Sequence, residues 1–342
     1  MDLTKFLRKN IVDMEAYTAA RDLVVEGNYV FLDANENPFG SWNRYPDPLQ
    51  KNPKKLLAEI KGVKVANMVM GNGSDEILDL IYRVSCNPGV DEAISLAPSY
   101  GMYQTLAELN KVKFNTVMLD ENFDFNTEDI LNAVNENTKL IIICSPNNPT
   151  GNAFDINKII ELSEKFHGLV VVDEAYNDFA GRRSCITELN NHDNLVVIQT
   201  FSKAWGMACL RCGVGYMSKE LASMINKVKL PYNMNGVSQK AIVERLGDLK
   251  SFQQTVNLII DERERLIENL KNIDCIEKIF HSDANFILVR AARHQEIRQY
   301  LLDNGMIVRS RHGMPLCNNC LRITVGSPEE NDKLIELLKK FK

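Results

Sequence analysis

Between about residues 65 and 217 the chain alternates two hydrophobic textures. Short continuous apolar runs, LIIIC at 140–144, LVVV at 169–172 and LVVI at 195–198, are separated by stretches whose apolar residues recur at helical spacing. An uninterrupted apolar run reads as a strand covered on both faces, the habit of a parallel sheet. The candidate strands are Asn67–Met70, Glu92–Leu96, Lys113–Val117, Leu140–Cys144, Leu169–Val172, Leu195–Gln199 and Gly213–Met217. Ser74–Val84 has apolar residues at 77, 78, 80, 81 and 84, a one-sided helical face, and Asp155–Phe166 is a second example. This alternation predicts a doubly wound, mostly parallel α/β domain.

After about residue 240 the pattern changes. A long charged helix is expected over Phe252–Leu270, then strands at Asn285–Val289 and Cys320–Val325, with helices over 294–303 and 329–341. This reads as a smaller α+β domain. The N-terminal stretch is a separate arm, helical over Ala16–Val25. The expected division is an arm at 1–28, a large domain at 29–245 and a small domain at 246–342, in keeping with a length of 342 residues.

Charge narrows the classes of partner. Lys plus Arg is 40 against 45 for Asp plus Glu, a net charge of -5, where a dedicated nucleic-acid binder would show a basic excess. The balance gives no support to binding at an anionic membrane surface. No apolar run approaches the roughly 18 residues that span a bilayer. Asp13 and Glu15 interrupt any signal-peptide core, so a cytoplasmic protein is expected. Eight cysteines include two CxxC pairs, Cys209/Cys212 and Cys317/Cys320, which raises a zinc site. The pairs lie about a hundred residues apart, and thiols packed as small hydrophobes are the preferred reading, with no metal.

Open parallel sheets bind ligands beyond the carboxyl ends of their strands. LIIIC runs into Ser145-Pro-Asn-Asn-Pro-Thr-Gly151, LVVV into Asp173-Glu-Ala-Tyr176, and LVVIQ into Thr200-Phe-Ser-Lys203. An amide, a carboxylate and an amine thus arrive at one edge. A lysine in a dehydrated pocket has a lowered pKa and forms a Schiff base with an aldehyde. A strand-end aspartate can pair with a protonated pyridine nitrogen and keep that ring electron-poor, and the two together suit pyridoxal phosphate. Taken singly, the aspartate is more often a helix cap and the lysine a solvated charge.

The phosphate needs a cup. Gly71-Asn-Gly-Ser-Asp-Glu76 follows a strand and opens a helix, where free N–H groups bind phosphate and glycine allows close approach. A dinucleotide fingerprint fails at its last position, where Glu76 stands. Ser74 is also expected to cap the helix. Arg211, Thr200 and Ser202 are further phosphate ligands by position.

In this order GNGSDE, APSYGMY, CSPNNPTG, VVDEAY, TFSKAWGMACLR and CLRITVG resemble the fold-type I pyridoxal-phosphate aminotransferases. LDANENPFG at 32–40, NRYPD at 43–47 and the paired C-terminal arginines narrow the resemblance to the histidinol-phosphate aminotransferases. The resemblance runs from about Tyr17 to the end. It implies that Lys203 holds the cofactor and moves the substrate proton, and that Asp173 bonds the ring nitrogen. It implies that Tyr176 and Asn148 meet the phenolic oxygen and that Tyr100 lies over the ring. Ser74, Asp75, Thr200, Ser202 and Arg211 would hold the phosphate, Asp75 through its backbone N–H alone.

For substrate the resemblance points to Arg322, which alternates with Leu321 and Ile323 and so faces away from them, and to Arg309, thirteen residues earlier. Arg311 competes with Arg309 for that place. Asn148 would serve substrate as well as cofactor. Tyr17 would touch the substrate phosphate, and Tyr45 would reach the cofactor phosphate of a neighbouring subunit, which implies a homodimer. Cys209 stands where the family usually has glycine before the Leu-Arg pair, without removing a reactive group.

The implied reaction is transamination of L-histidinol phosphate with 2-oxoglutarate to give imidazole-acetol phosphate and L-glutamate, in histidine biosynthesis. The alternatives on this scaffold are an aromatic amino-acid aminotransferase and a threonine-phosphate decarboxylase. Transcription regulators with aminotransferase-like domains add a helix-turn-helix domain, for which this chain has no spare segment.

Overall fold

The computed structural model describes residues 3–17, 21 and 29–341. Of the helix expected over Ala16–Val25, residues 18–20 and 22–25 lie outside the described residues. The described part of the arm is anchored: a short helix, Lys9–Asp13, buries Ile11, and Lys227 Nζ donates to the Val12 and Met14 carbonyls at 2.9 and 3.1 Å.

Seven strands form the large sheet: β1 (Met68–Gly71), β2 (Glu92–Ala97), β3 (Lys113–Met118), β4 (Thr138–Cys144), β5 (Leu169–Asp173), β6 (Leu195–Thr200) and β7 (Gly213–Tyr216). Their order is β1-β7-β6-β5-β4-β2-β3. β2 through β6 pair in parallel, while β7 runs antiparallel between β6 and β1. The continuous apolar runs are explained by packing on both faces. Ile141, Ile143, Val170, Val172 and Val197 enter one hydrophobic cluster, and their neighbours Leu140, Ile142, Leu169, Val171, Val196 and Ile198 enter another. With residues pointing alternately to two cores, truncating Ile142 to alanine is expected to cost about 2–5 kcal/mol.

The small sheet contains β8 (Lys278–Ile279), β9 (Phe286–Arg290), β10 (Arg309–Ser310) and β11 (Cys320–Thr324), in antiparallel order β10-β11-β9-β8. Two helices, His294–Asp303 and Pro328–Lys340, help to bury it. The second begins with a capping box in which Ser327 and Glu330 satisfy each other's backbone N–H groups. The long helix Leu249–Leu270 starts at Asp248, whose side chain caps Ser251 N–H. Its Val256 packs into a core of the large sheet, and its Leu266 and Leu270 into that of the small sheet.

Candidate active site

The parallel strands bring their carboxyl ends into register: Cys144 of β4 lies opposite Asp173 of β5, and Asp173 opposite Ile198 of β6. Beyond this edge lies a cavity of about 420 Å³. It is lined by Ser74, Asp75, Tyr100, Asn148, Asp173, Tyr176, Thr200, Ser202, Lys203, Arg211, Arg309 and Arg322. Those are all the proposed site residues except Tyr17 and Tyr45. Cys144, Ala175 and Arg311 complete the lining.

Adjacent carboxylates have opposite fates. Glu174 points away from the cavity and is satisfied by Cys185 N–H at 2.7 Å, Gln199 Nε2 at 2.9 Å and the Ser184 hydroxyl. Asp173 faces the cavity and is buried. Burial pushes its pKa up to about 6, against the lowering effect of hydrogen bonds from Tyr103 and the Ala175 N–H. Lys203 is open along its side chain, but what it exposes lines the cavity. Desolvation lowers its pKa, and Arg322 adds to the effect. Its Nζ lies 5.7 Å from the centre of the Tyr176 ring.

At one end of the cavity the backbone makes an anion cradle. Ser74, expected as the cap, is instead the first residue of the helix Ser74–Ser85, and Gly73 takes the cap position. Gly73 has φ +78°, which a side chain would strain, and no side chain caps the helix. A Cβ on Gly73 would stand 2.6 Å from the Arg211 guanidinium. A Cβ on Gly213 would stand 2.4 Å from both Gly73 C and Ser74 N, so β7 must pass beneath the turn with no side chain there. Arg211 donates to Ser202 Oγ at 3.4 Å, and Thr200 Oγ1 accepts the Ser202 N–H. Uncapped first-turn N–H groups, two hydroxyls and a guanidinium suit a phosphate.

At the other end stand three arginines. Arg309 and Arg322 are register partners on β10 and β11, and Arg311 follows Arg309 by two residues. Leu321 and Ile323 are buried while Arg322 faces the cavity, as the alternation required. Arg322 Nη1 donates to Asn148 Oδ1 at 2.6 Å, and Asn148 Nδ2 donates to Tyr176 Oη at 3.3 Å. The Nε atoms of Arg311 and Arg322 are buried without a hydrogen-bond partner. Desolvation, then Arg322 and Arg309, brings the Arg311 pKa down to about 10. Clustered, partly dehydrated guanidinium groups make a strong anion site. Of the two asparagines in SPNNPTG, only Asn148 lines the cavity. Asn147 ties the loop down, donating to the Pro98 carbonyl at 3.0 Å and to Thr150 Oγ1 at 2.8 Å.

Tyr17 and Tyr45 lie outside this cavity. Tyr17 is exposed. Tyr45 is half exposed and stacks on Tyr232 with ring centres 4.5 Å apart. Its segment is fastened by Glu36, which takes Arg44 at 2.8 Å, Arg21 at 2.7 Å and the Tyr45 N–H. Those bonds, Arg44's first, hold the Glu36 carboxyl down to about 2.

Sequence reasoning passed over Tyr103, whose hydroxyl meets Asp173. The available signal was a second tyrosine three residues after Tyr100, in the first turn of the helix Met102–Leu109 that follows it. The CxxC residues are all free thiols. Among the described residues no group of three or more His, Cys, Asp or Glu is placed to hold a metal.

The residues fit pyridoxal phosphate: a buried carboxylate for a ring nitrogen, an amine of lowered basicity for an aldehyde, and an anion cradle. Comparison with known proteins agrees. Residues 15–338 match the aminotransferase class I and II family. A histidinol-phosphate aminotransferase from Flavobacterium psychrophilum is 46% identical over 341 residues, covering 99% of this chain and 98% of that one. The solved histidinol-phosphate aminotransferase of Clostridium acetobutylicum superposes with TM-score 0.80 at 27% identity, covering 87% of this chain and 90% of that chain. That of Sinorhizobium meliloti, solved in complex with pyridoxal-5'-phosphate, gives TM-score 0.80 at 25% identity over 87% and 82% of the two chains. With a family match over nearly its whole length and a cavity furnished for that cofactor, the chain belongs to the class I and II aminotransferases, which depend on pyridoxal phosphate.

Proposed function

We propose that the chain transfers the amino group of L-histidinol phosphate to 2-oxoglutarate, giving imidazole-acetol phosphate and L-glutamate in histidine biosynthesis. The observation that carries this reading is one cavity lined by Lys203, Asp173 and three arginines, Arg309, Arg311 and Arg322. The relatives named for this activity support it.

Bound pyridoxal phosphate supplies an aldehyde for the amino group and an electron-poor ring that takes up the electrons released at the substrate Cα. The protein supplies the rest. Desolvation lowers the basicity of Lys203, and its amine would take the proton from the substrate Cα and return it at the neighbouring carbon. Asp173 would hold the ring nitrogen, Tyr176 and Asn148 the ring oxygen, and Tyr100 one face of the ring. Ser74, Asp75, Thr200, Ser202 and Arg211 would hold the cofactor phosphate. Arg322 and Arg309, with Arg311 beside them, would bind the substrate phosphate in one half-reaction and a carboxylate in the other.

The same reading takes the chain as a cytoplasmic homodimer. Tyr45 would serve the cofactor phosphate of the neighbouring subunit and Tyr17 the substrate phosphate. Exposure of Val30, Leu32, Phe39, Trp42 and Tyr45 on one short segment supports a second copy there. The division into arm, large domain and small domain at 1–28, 29–245 and 246–342 belongs to this reading too. Among the described residues no helix is long and apolar enough to cross a membrane.

The test is a panel with glutamate as amino donor, comparing imidazole-acetol phosphate with phenylpyruvate, beside an assay for carbon dioxide release from threonine phosphate. Preference for the phosphorylated imidazole substrate is expected. A large preference for phenylpyruvate, or decarboxylation, would assign the site to one of its rivals.

A further inference from the structure

Asp173 is reached from several elements. Its Oδ1 accepts the Ala175 N–H at 3.1 Å, and its Oδ2 accepts the Tyr103 hydroxyl at 2.8 Å. Asp75 from the helix Ser74–Ser85, Tyr100 before the next helix, Cys144 at the end of β4, Tyr176 after β5 and Lys203 after β6 also face this site. Lys203 is the single cation in that set, and a second carboxylate, Asp75, opposes ionisation of the first.

Tyr103 has no exposed surface and is itself held in place. It lies on the helix Met102–Leu109, its ring meets Tyr100 edge-on at 5.5 Å, and its carbonyl accepts the Tyr82 hydroxyl at 3.0 Å. Burial and the nearby Asp173 raise its pKa, so the phenol stays a donor throughout the neutral range. A donor fixed on one carboxylate oxygen favours the charged form and fixes the plane of the group.

We propose that Tyr103 is a positioning residue for the cofactor: its hydroxyl orients Asp173 and keeps it ionised for the protonated ring nitrogen. The inference rests on the pyridoxal-phosphate reading of the site. Tyr103 touches neither cofactor nor substrate in this role and acts through Asp173 alone.

The experiment measures pyridoxal phosphate binding to the apoprotein from pH 5 to 9 by absorbance and fluorescence titration. Tyr103→Phe keeps the ring and its edge contact with Tyr100 and removes one oxygen. Affinity at neutral pH should fall by about ten- to a hundredfold, the span of a hydrogen bond to a charged group. The acid limb of the binding curve should move to higher pH, because Asp173 without its donor keeps its proton longer. Tyr82→Phe is the control: it also removes a buried hydroxyl beside Tyr103 and should lower the melting temperature without moving that limb. If Tyr103→Phe behaves like Tyr82→Phe, Tyr103 is packing and the inference fails. Should Tyr103→Phe not fold, site-specific 3-fluorotyrosine at position 103 strengthens the donor and should move the limb to lower pH, and an unmoved limb overturns the inference. A wild-type protein that binds no pyridoxal phosphate at any pH would instead sink the cofactor reading.

Discussion

The two ends of the cavity handle charge in opposite ways. At the floor, Asp173 is enclosed by the sheet and two hydrogen bonds, and burial raises its pKa to about 6. At the mouth, Arg309, Arg311 and Arg322 crowd together on β10, β11 and the loop between them, two of their Nε atoms without partners. The floor is built for one fixed partner of known shape. The mouth has surplus donors and suits anions of different geometry, which is what two unlike substrates sharing one site require.

The largest expected effect is at the floor. Asp173→Asn should cut kcat by about 10³-fold for every substrate, since a charge aimed at the reacting ring is lost. It should also stabilise the apoprotein at pH 7. The raised pKa means that the native state holds a proton which the unfolded chain has released between pH 4 and 6. Wild-type stability therefore falls as pH rises through that window, by about 2–3 kcal/mol for this group. The variant should lack that share of the slope in melting curves recorded from pH 4 to 7. A substrate-selective loss would erase the contrast between floor and mouth.

Next comes Arg322→Gln. It should lower kcat/KM by about 10²–10³-fold, because the guanidinium is partly buried and anchors Asn148 as well. Steady-state kinetics on both half-reactions would check it. Arg311→Gln should be milder and selective, about tenfold in KM for the phosphorylated substrate and less for glutamate. Equal losses for both substrates would merge the roles of the arginines. The smallest effect on turnover belongs to Glu174→Gln. It should cost about 1–3 kcal/mol of stability through its buried hydrogen bonds, with kcat unchanged, although Glu174 adjoins Asp173.

Much of this was legible in the sequence because the physics is local and periodic. LIIIC and LVVV announce strands buried on both faces, and the residues after them fall at one edge by topology. Alternation in Leu321-Arg322-Ile323 gave the direction of Arg322. Other features depend on how separate segments meet. Nothing local separates Asp173 from Glu174 or Asn147 from Asn148 without the cavity. The cap at Gly73 in place of Ser74 follows from the passage of Gly213 beneath it, a contact between positions 140 residues apart. Tyr103 was missed because its partner is 70 residues away. The antiparallel course of β7 within an otherwise parallel series also has no mark in its own short apolar run.

The long helix Leu249–Leu270 has one more consequence. Twenty-two residues make a rod of about 33 Å, and its two halves are rooted in different hydrophobic clusters. Melting either cluster strips one half of that rod of its packing, and a helix without a packed face is marginal in water. The two sheets are thus coupled in folding as well as in catalysis: calorimetry should record one cooperative transition, and a helix-breaking Leu266→Pro should bring both sheets down together.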